Sequence, residues 1–190
     1  MQLTSYETAS EMMQSLSAQI ASELSAAIVL RGRACLAVPG GSTPGPLFDL
    51  LSQAALDWAN VTVMLTDERW VPTDSPRSNT GLIKNRLLVN SASAARYIAL
   101  YAPGLDHDGG ARALSQQGAP NLPNDVVVLG MGGDKHTEKL FPGAREVSHA
   151  QDERADGVMA VVRGGSELEA GVTMNAQDSE TARQAQVLNI

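Results

Sequence analysis

Three short apolar runs, each followed at once by a polar or glycine-rich segment, constrain the fold of this chain more than any other feature. They cover residues 34–38, 61–65 and 126–129. Runs of this length are too short for a buried helix and are typical of strands that are covered on both faces of a parallel sheet. Helical patterns separate them. The sequence therefore predicts an α/β fold, with three α/β/α layers around a mainly parallel, Rossmann-like sheet.

The segments between the apolar runs have the spacing of amphipathic helices and connecting loops. Residues 7–30 carry apolar side chains three and four positions apart, and Gly32 stands where a helix C-cap is expected. Residues 97–100 are a candidate fourth strand. Residues 102–124 are rich in Gly, Pro and Asp, which predicts a loop with one short helix, and we expect His107 to be a solvated surface residue there.

Composition indicates one globular domain, spanning residues 1–190, and limits its partners. Apolar residues make up 43% of the chain and charged residues 18%, and the formal charge is −7. A chain this acidic offers no basic face to neutralise nucleic-acid phosphates. Cys35 is the one cysteine, which excludes an internal disulfide and suits a reducing compartment, where we expect an inert core thiol. With no signal peptide and no membrane-spanning run in the sequence, we expect a cytoplasmic protein.

The run at residues 126–129 ends in a glycine-rich turn that carries a histidine. Gly130, Gly132 and Gly133 allow the backbone to turn and a ligand to approach it, and His136 follows. In open α/β sheets ligands bind beyond the carboxyl ends of the strands. An imidazole is the side chain best suited to proton transfer near neutral pH. His136 is therefore a candidate catalytic residue.

The run at residues 34–38 leads into a second glycine-containing loop. Gly40 and Gly41 free the backbone to curl, and either Ser42 or Thr43 is a suitable N-cap for a helix with Pro44 in its first turn. Backbone N–H groups and hydroxyls at a helix N-terminus are typical of a phosphate site. A plain capped turn would have the same sequence, and no lysine follows to make this a Walker loop.

The run at residues 61–65 leads into two acids and an arginine: Asp67, Glu68 and Arg69. Such a cluster directly after a buried strand indicates a binding site, although an internal ion pair would also explain it. The carboxyl ends of parallel strands meet at one edge of a sheet, so we expect Ser42, Arg69 and His136 to line one pocket there.

Together the three loops resemble the 6-phosphogluconolactonase family, within a larger group that includes glucosamine-6-phosphate deaminase. The likeness spans roughly residues 5–145, and the order and spacing of its segments are retained. The arginine after the acids and the Leu-Phe-Pro after the histidine favour the lactonase branch. The matching segments are GGSTP at 40–44, DERWVP at 67–72, Ser78-Asn79, GMGGD at 130–134, His136-Thr137 and LFPG at 140–143.

The resemblance implies hydrolysis of 6-phospho-D-glucono-1,5-lactone, in the oxidative branch of the pentose phosphate pathway. His136 is then the general base for water and later the acid toward the departing ring oxygen. Asp67 orients the sugar or the imidazole, and Arg69 stabilises the oxyanion or holds the phosphate. No metal or cofactor is implied. The substrate and its phosphate are expected to be bound by Gly40, Gly41, Ser42, Thr43, Arg77, Gly133 and Lys135.

Several positions depart from the family pattern. The family has glycine where this chain has Lys135, and small residues at the positions of Glu138 and Lys139. Beyond residue 145 the likeness fades to two strand-like pieces, residues 172–174 and 185–190. We therefore expect residues 145–190 to be an atypical or incomplete part of the domain.

Two other functions stay open at this point. An amino-sugar phosphate deaminase or isomerase would use the same loops to remove a carbon-bound proton. A sugar-phosphate sensor would keep the pocket and lack turnover, as Lys135 next to His136 suggests. For any of the three we expect a monomer or a small homo-oligomer that acts on a small sugar phosphate.

Overall fold

A computed structural model describes residues 4–121, 123–130, 159–162, 171–174 and 184–188. The helices are α1 (Ala9–Arg31), α2 (Gly45–Leu51), α3 (Asn79–Leu82, continued by a π-helical turn over Ile83–Leu87) and α4 (His107–Gly118). The strands are β1 (Ala34–Val38), β2 (Val61–Leu65), β3 (Asp67–Arg69), β4 (Arg96–Ile98), β5 (Val126–Gly130), β6 (Met159–Val162), β7 (Gly171–Met174) and β8 (Gln184–Leu188).

The main sheet is parallel throughout and has the strand order β4-β2-β1-β5-β8. The three apolar runs of the sequence form β1, β2 and β5 within one residue of the predicted bounds, and the predicted α/β class is confirmed. The chain builds outward from β1 through β2 to β4, then returns to the other side of β1 to add β5 and β8. The order therefore reverses between β1 and β5, and such a reversal is where open α/β sheets bind ligands.

A second, antiparallel sheet with the order β3-β7-β6 was not predicted from the sequence. Its first strand, β3, contains only charged residues, so it carries none of the apolar alternation that identifies a strand. Thr66 links the two sheets, because its carbonyl accepts a hydrogen bond of 2.7 Å from the backbone N–H of Met174. This antiparallel sheet holds Asp67–Arg69 in an extended conformation at the end of β2.

Helix α1 confirms the predicted helix over residues 7–30, with both ends shifted by one or two positions. Its first turn is capped by the hydroxyl of Thr8, which accepts from the N–H of Glu11. Gly32 ends the helix at φ 73°, a left-handed conformation that favours glycine, and its N–H donates to the carbonyl of Ile28. The apolar stripe of α1 packs on β1, β5 and α2.

The start of α2 differs from the prediction. Neither Ser42 nor Thr43 is its N-cap, since the helix begins at Gly45 after Pro44, without a side-chain cap. The N–H of Gly45 donates to the carbonyl of Ser42 at 3.2 Å, which closes a turn before the helix. Pro44 and Pro46 lack an N–H, so the first turn leaves few donors for a hydroxyl to cap.

Two features of the segment between β4 and β5 also differ from expectation. The helix there, α4, is longer than the short helix expected, and His107 lies at its start. His107 is half-buried, with its ring 5.5 Å from that of Trp70, so the expectation of a solvated histidine was wrong. Among the residues described, none of the helices has the length and hydropathy needed to cross a membrane.

Candidate functional site

The loops that follow β1, β2 and β5 begin at the same edge of the main sheet. The N–H of Thr66, after β2, donates to the carbonyl of Val38 at the end of β1, at 2.9 Å. On the other side of β1, a Cβ placed on Gly130 would lie 3.8 Å from the Cβ of Pro39. The three loops therefore start close together at this edge.

Asn79 joins the loop after β1 to the loop after β2. A Cβ placed on Gly40 would lie 2.1 Å from the side-chain Cγ of Asn79, so only a glycine fits beneath this amide. The amide nitrogen of Asn79 donates to the backbone carbonyl of Asp67 at 3.2 Å and lies 3.5 Å from its carboxylate oxygen Oδ2. Asn79 is thus in direct contact with both candidate site loops. It belongs to the Ser78-Asn79 segment that was singled out in the sequence.

Glu68 is fully buried beneath this contact and accepts five hydrogen bonds. Its Oε1 accepts from the backbone N–H of Arg69 and of Asn79, both at 2.8 Å. Its Oε2 accepts from the hydroxyl of Ser78 at 2.8 Å, and from the N–H and hydroxyl of Thr80, both at 2.9 Å. These donors are all neutral, so among the described residues Glu68 is held by hydrogen bonds, four of them from residues 78–80 at the start of α3.

The role of Glu68 was missed in the sequence, although a signal for it exists. Ser78 precedes α3 as its N-cap, and its hydroxyl accepts from the N–H of Thr80 at 3.1 Å. A serine before a helical pattern predicts such a cap. The pattern does not show that Glu68, ten residues earlier, also accepts hydrogen bonds from the start of this helix.

A phenol extends the same hydrogen-bond network away from the site. The hydroxyls of Thr80 and Tyr97 are 2.9 Å apart. Because the carboxylate of Glu68 only accepts, Thr80 donates to it and accepts from Tyr97. Burial raises the pKa of Tyr97 well above its usual range, so its phenol keeps the proton that this bond needs.

Arg69 and Arg77 lie together at the surface of the same region. The guanidinium of Arg69 donates to the backbone carbonyl of Arg77 at 2.9 Å, which closes the loop between them. A carbonyl is a neutral acceptor, so this contact is a hydrogen bond and not an ion pair. Arg69 is half-buried and Arg77 is exposed. The structure therefore brings two of the predicted cationic residues to one place.

Ser42 and Thr43 are exposed and line a groove of about 660 Å³ between the start of α1 and α2. The other lining residues are Ala9, Ser10, Met13, Gln14, Pro46, Asp49 and Leu50. Neither Asp67 nor Arg69 is among them. It therefore stays a prediction that one pocket is shared by Ser42, Arg69 and His136.

Gly133, Lys135 and His136 lie outside the described residues, so their predicted roles also stay predictions. Within the described ranges, no group of three or more His, Cys, Asp or Glu side chains is arranged to hold a metal ion.

Comparison with known proteins gives consistent matches along the chain. Residues 7–189 match the family model described as glucosamine-6-phosphate isomerases/6-phosphogluconolactonase. The chain is 43% identical over 148 residues to a 6-phosphogluconolactonase of Rhizobium meliloti, which covers 77% of this chain and 64% of the relative. It is 42% identical over 161 residues to that of Mesorhizobium japonicum, covering 84% of this chain and 67% of the relative. The chain thus spans about two thirds of the length of these curated relatives.

A solved structure of similar fold is that of a 6-phosphogluconolactonase from Shewanella baltica. It superposes with a TM-score of 0.91 at 36% identity, over 96% of this chain and 78% of that one.

Proposed function

We infer the function from one premise: this chain belongs to the glucosamine-6-phosphate isomerase/6-phosphogluconolactonase family. From it we propose that the chain hydrolyses 6-phospho-D-glucono-1,5-lactone to 6-phospho-D-gluconate. The observation that carries the proposal is the identity of 42–43% with relatives that bear the name 6-phosphogluconolactonase. The acid and arginine after β2 and the Gly40-Gly41 loop after β1, at the carboxyl edge of the main sheet, support it.

The reaction needs a base, a means to hold the substrate and little else, because a lactone is an ester that reacts readily with water. In the proposed mechanism His136 removes a proton from water as the oxygen attacks the lactone carbonyl. It then gives that proton to the ring oxygen as the carbon–oxygen bond breaks. Because the leaving oxygen belongs to the same ring, the one product is open-chain 6-phospho-D-gluconate, with a new carboxyl group and a new hydroxyl, and no other reactant is required.

Asp67 and Arg69 are proposed to act on the substrate from the end of β2. The contact with the amide of Asn79 supports an orienting role for Asp67, toward either the sugar hydroxyls or the imidazole. Arg69 makes its observed contact to a neutral carbonyl, so its charge is available to stabilise an oxyanion or a phosphate.

The phosphate is proposed to bind at the loop of Gly40, Gly41, Ser42 and Thr43, with charge from Arg77 and Lys135 and a backbone contact at Gly133. Gly41 has φ 85°, a left-handed conformation that suits glycine and curls the loop. The exposed hydroxyls of Ser42 and Thr43 then supply donors for an anion. We place the reaction in the cytoplasm and expect a monomer or small homo-oligomer.

Replacing His136 by Asn tests the proposal. The wild-type chain is expected to hydrolyse the lactone faster than the spontaneous background, and His136→Asn to lose about 10²–10⁴-fold in kcat with phosphate affinity retained. His107→Asn is the matched control, since His107 packs on Trp70, and it should keep the wild-type kcat. Equal turnover in wild type and His136→Asn would refute the assigned base.

Two assays separate the alternatives. Release of ammonia from glucosamine-6-phosphate by the wild-type chain, without lactone hydrolysis, would identify a deaminase. Binding of 6-phosphogluconate without turnover of either substrate would identify a sensor.

A further inference from the structure

We propose that Glu68 is a positioning residue for the active site, acting through Asn79 on both Asp67 and the loop at Gly40. The inference rests on the proposed lactonase function and adds to it two residues that the mechanism does not use.

The side-chain oxygens of Glu68 accept all five of its observed hydrogen bonds. Three of the five donors are backbone N–H groups, which cannot reverse their direction. If a glutamine replaced it, the amide NH₂ would face either the N–H groups of Arg69 and Asn79 or the N–H of Thr80, which would keep only its 3.1 Å bond to the hydroxyl of Ser78. A buried N–H that loses its acceptor costs about 1–3 kcal/mol. The start of α3 is therefore fixed relative to β3 by two acceptor oxygens that an amide does not reproduce.

The hydrogen bonds of Glu68 fix the position of the Asn79 backbone. The side chain of Asn79 in turn contacts Asp67. The amide of Asn79 has one arrangement available, because its nitrogen has to donate to the backbone carbonyl of Asp67 at 3.2 Å. The same nitrogen lies 3.5 Å from the carboxylate of Asp67. The orientation of that carboxylate thus depends on where Glu68 holds α3.

The same amide sets the separation between Asp67 and the proposed phosphate loop. Its atoms occupy the space that a side chain at position 40 would take, with the nearest about 2.1 Å from a Cβ placed there. A shift of Asn79 would therefore move Gly40 and Asp67 relative to each other. Because a misplacement of about 1 Å can cost about 10²-fold in rate, such a shift would reach the chemistry.

The experiment compares two carboxylate-to-amide changes at buried acids on opposite edges of the main sheet. Glu68→Gln should lower kcat about 10²-fold when measured well below its unfolding temperature, with the spontaneous rate subtracted. Asp125→Asn is the matched control, since Asp125 is a buried, hydrogen-bonded carboxylate at the opposite edge of the main sheet. It should lower the unfolding temperature and leave kcat at the wild-type value. A folded Glu68→Gln variant with wild-type kcat, or an equal loss in Asp125→Asn, would overturn the inference.

A second variant gives a readout that a purely structural role would not change. Asn79→Asp puts a second negative charge beside Asp67, next to the proposed catalytic groups. The acid limb of the kcat/KM profile reports the protonation of the proposed base, His136. A negative charge nearby favours the imidazolium, so that limb should move to higher pH, whereas Asn79→Ser should lower the rate without moving it. An unmoved limb in Asn79→Asp would break the link between Asn79 and the catalytic groups. A wild-type chain without lactonase activity would instead overturn the proposed function, and this inference with it.

Discussion

The two edges of the main sheet each bury a carboxylate, and they bind it in different ways. At the carboxyl edge Glu68 accepts five hydrogen bonds from neutral donors. At the amino edge Asp125 pairs with the guanidinium of Arg31 and accepts from the backbone N–H of Cys35 at 2.9 Å. In the part of the chain that the structure describes, the contacts of Glu68 are to neutral donors, whereas those of Asp125 include a cation.

The difference decides whether an arginine helps to hold the buried acid. At the amino edge Arg31 binds Asp125, whereas Arg33, like Arg69, donates to a neutral carbonyl, that of Pro120 at 2.7 Å. The cavity beside them is only about 50 Å³, room for about one or two waters. At the carboxyl edge the described contacts of Glu68 are all to neutral donors, so Arg69 is not among the groups that hold this acid.

A methyl group at position 40 should disturb the contacts at the carboxyl edge. Of the predictions in this comparison, we expect this one to have the largest effect on activity. Gly40→Ala would force the side chain of Asn79 away and should lower kcat/KM about 10²-fold, as expected for a displacement of about 1 Å. Steady-state kinetics of lactone hydrolysis measure this. The control is Gly81→Ala, in α3, where a Cβ meets nothing within 4 Å. That change should keep activity and stabilise the helix by up to about 1 kcal/mol. Wild-type kinetics in Gly40→Ala would show that Asn79 moves aside freely.

Removing one arginine from each edge should have opposite consequences. Arg69→Ala is expected to raise KM about tenfold to a hundredfold, the loss of a charged hydrogen bond of about 1.5–3 kcal/mol, with an unchanged unfolding temperature. Arg31→Ala should keep KM and lower the free energy of unfolding by about 1–3 kcal/mol. That loss is smaller than for a fully buried pair because the Arg31 side chain is 27% exposed. Lactone kinetics and urea unfolding of both variants measure the two effects. A stability loss without an affinity loss in Arg69→Ala would show that Arg69 has a structural role. The proposed difference between the two edges would then be wrong.

Cys35 gives the smallest effect near neutral pH, because its contribution changes only above pH 9, and it sharpens the description of the amino edge. Burial, with a contribution from the charge of Asp125, raises the pKa of its thiol from 9.0 to about 12. The folded state therefore favours the protonated thiol. Its stabilising contribution is complete below pH 9 and is lost as pH rises from 9 to about 12, at up to about 1.4 kcal/mol per pH unit. Chemical unfolding of wild type and Cys35→Ala should show their stability difference narrowing over that window. A constant difference would mean that the thiol titrates as freely as in the unfolded chain.

Local sequence patterns predicted the helices and strands of the main sheet. Contacts between residues far apart in the sequence were not predicted. The bounds of β1 and β2 follow from short apolar runs between polar residues, and the end of α1 follows from a glycine with left-handed φ. The antiparallel sheet depends on pairing between β3 and β7, about a hundred residues apart, which no local pattern records. The predictions for His136, Lys135 and Gly133, and for residues 145–190 as an atypical part of the domain, stay predictions.

The sequence by itself determined which chemical groups reach the carboxyl edge, because each apolar run delivers the residues that follow it to that edge. Only the tertiary structure decided what the neighbouring acids do. Asp67 and Glu68 look equivalent in sequence, and Glu68 was not among the predicted site residues. In β3 successive side chains point to opposite faces, so Glu68 is buried while Asp67 and Arg69 are partly exposed. Pairing with β7 sets that alternation, and it turns one acid toward the helix and its neighbours toward the proposed site.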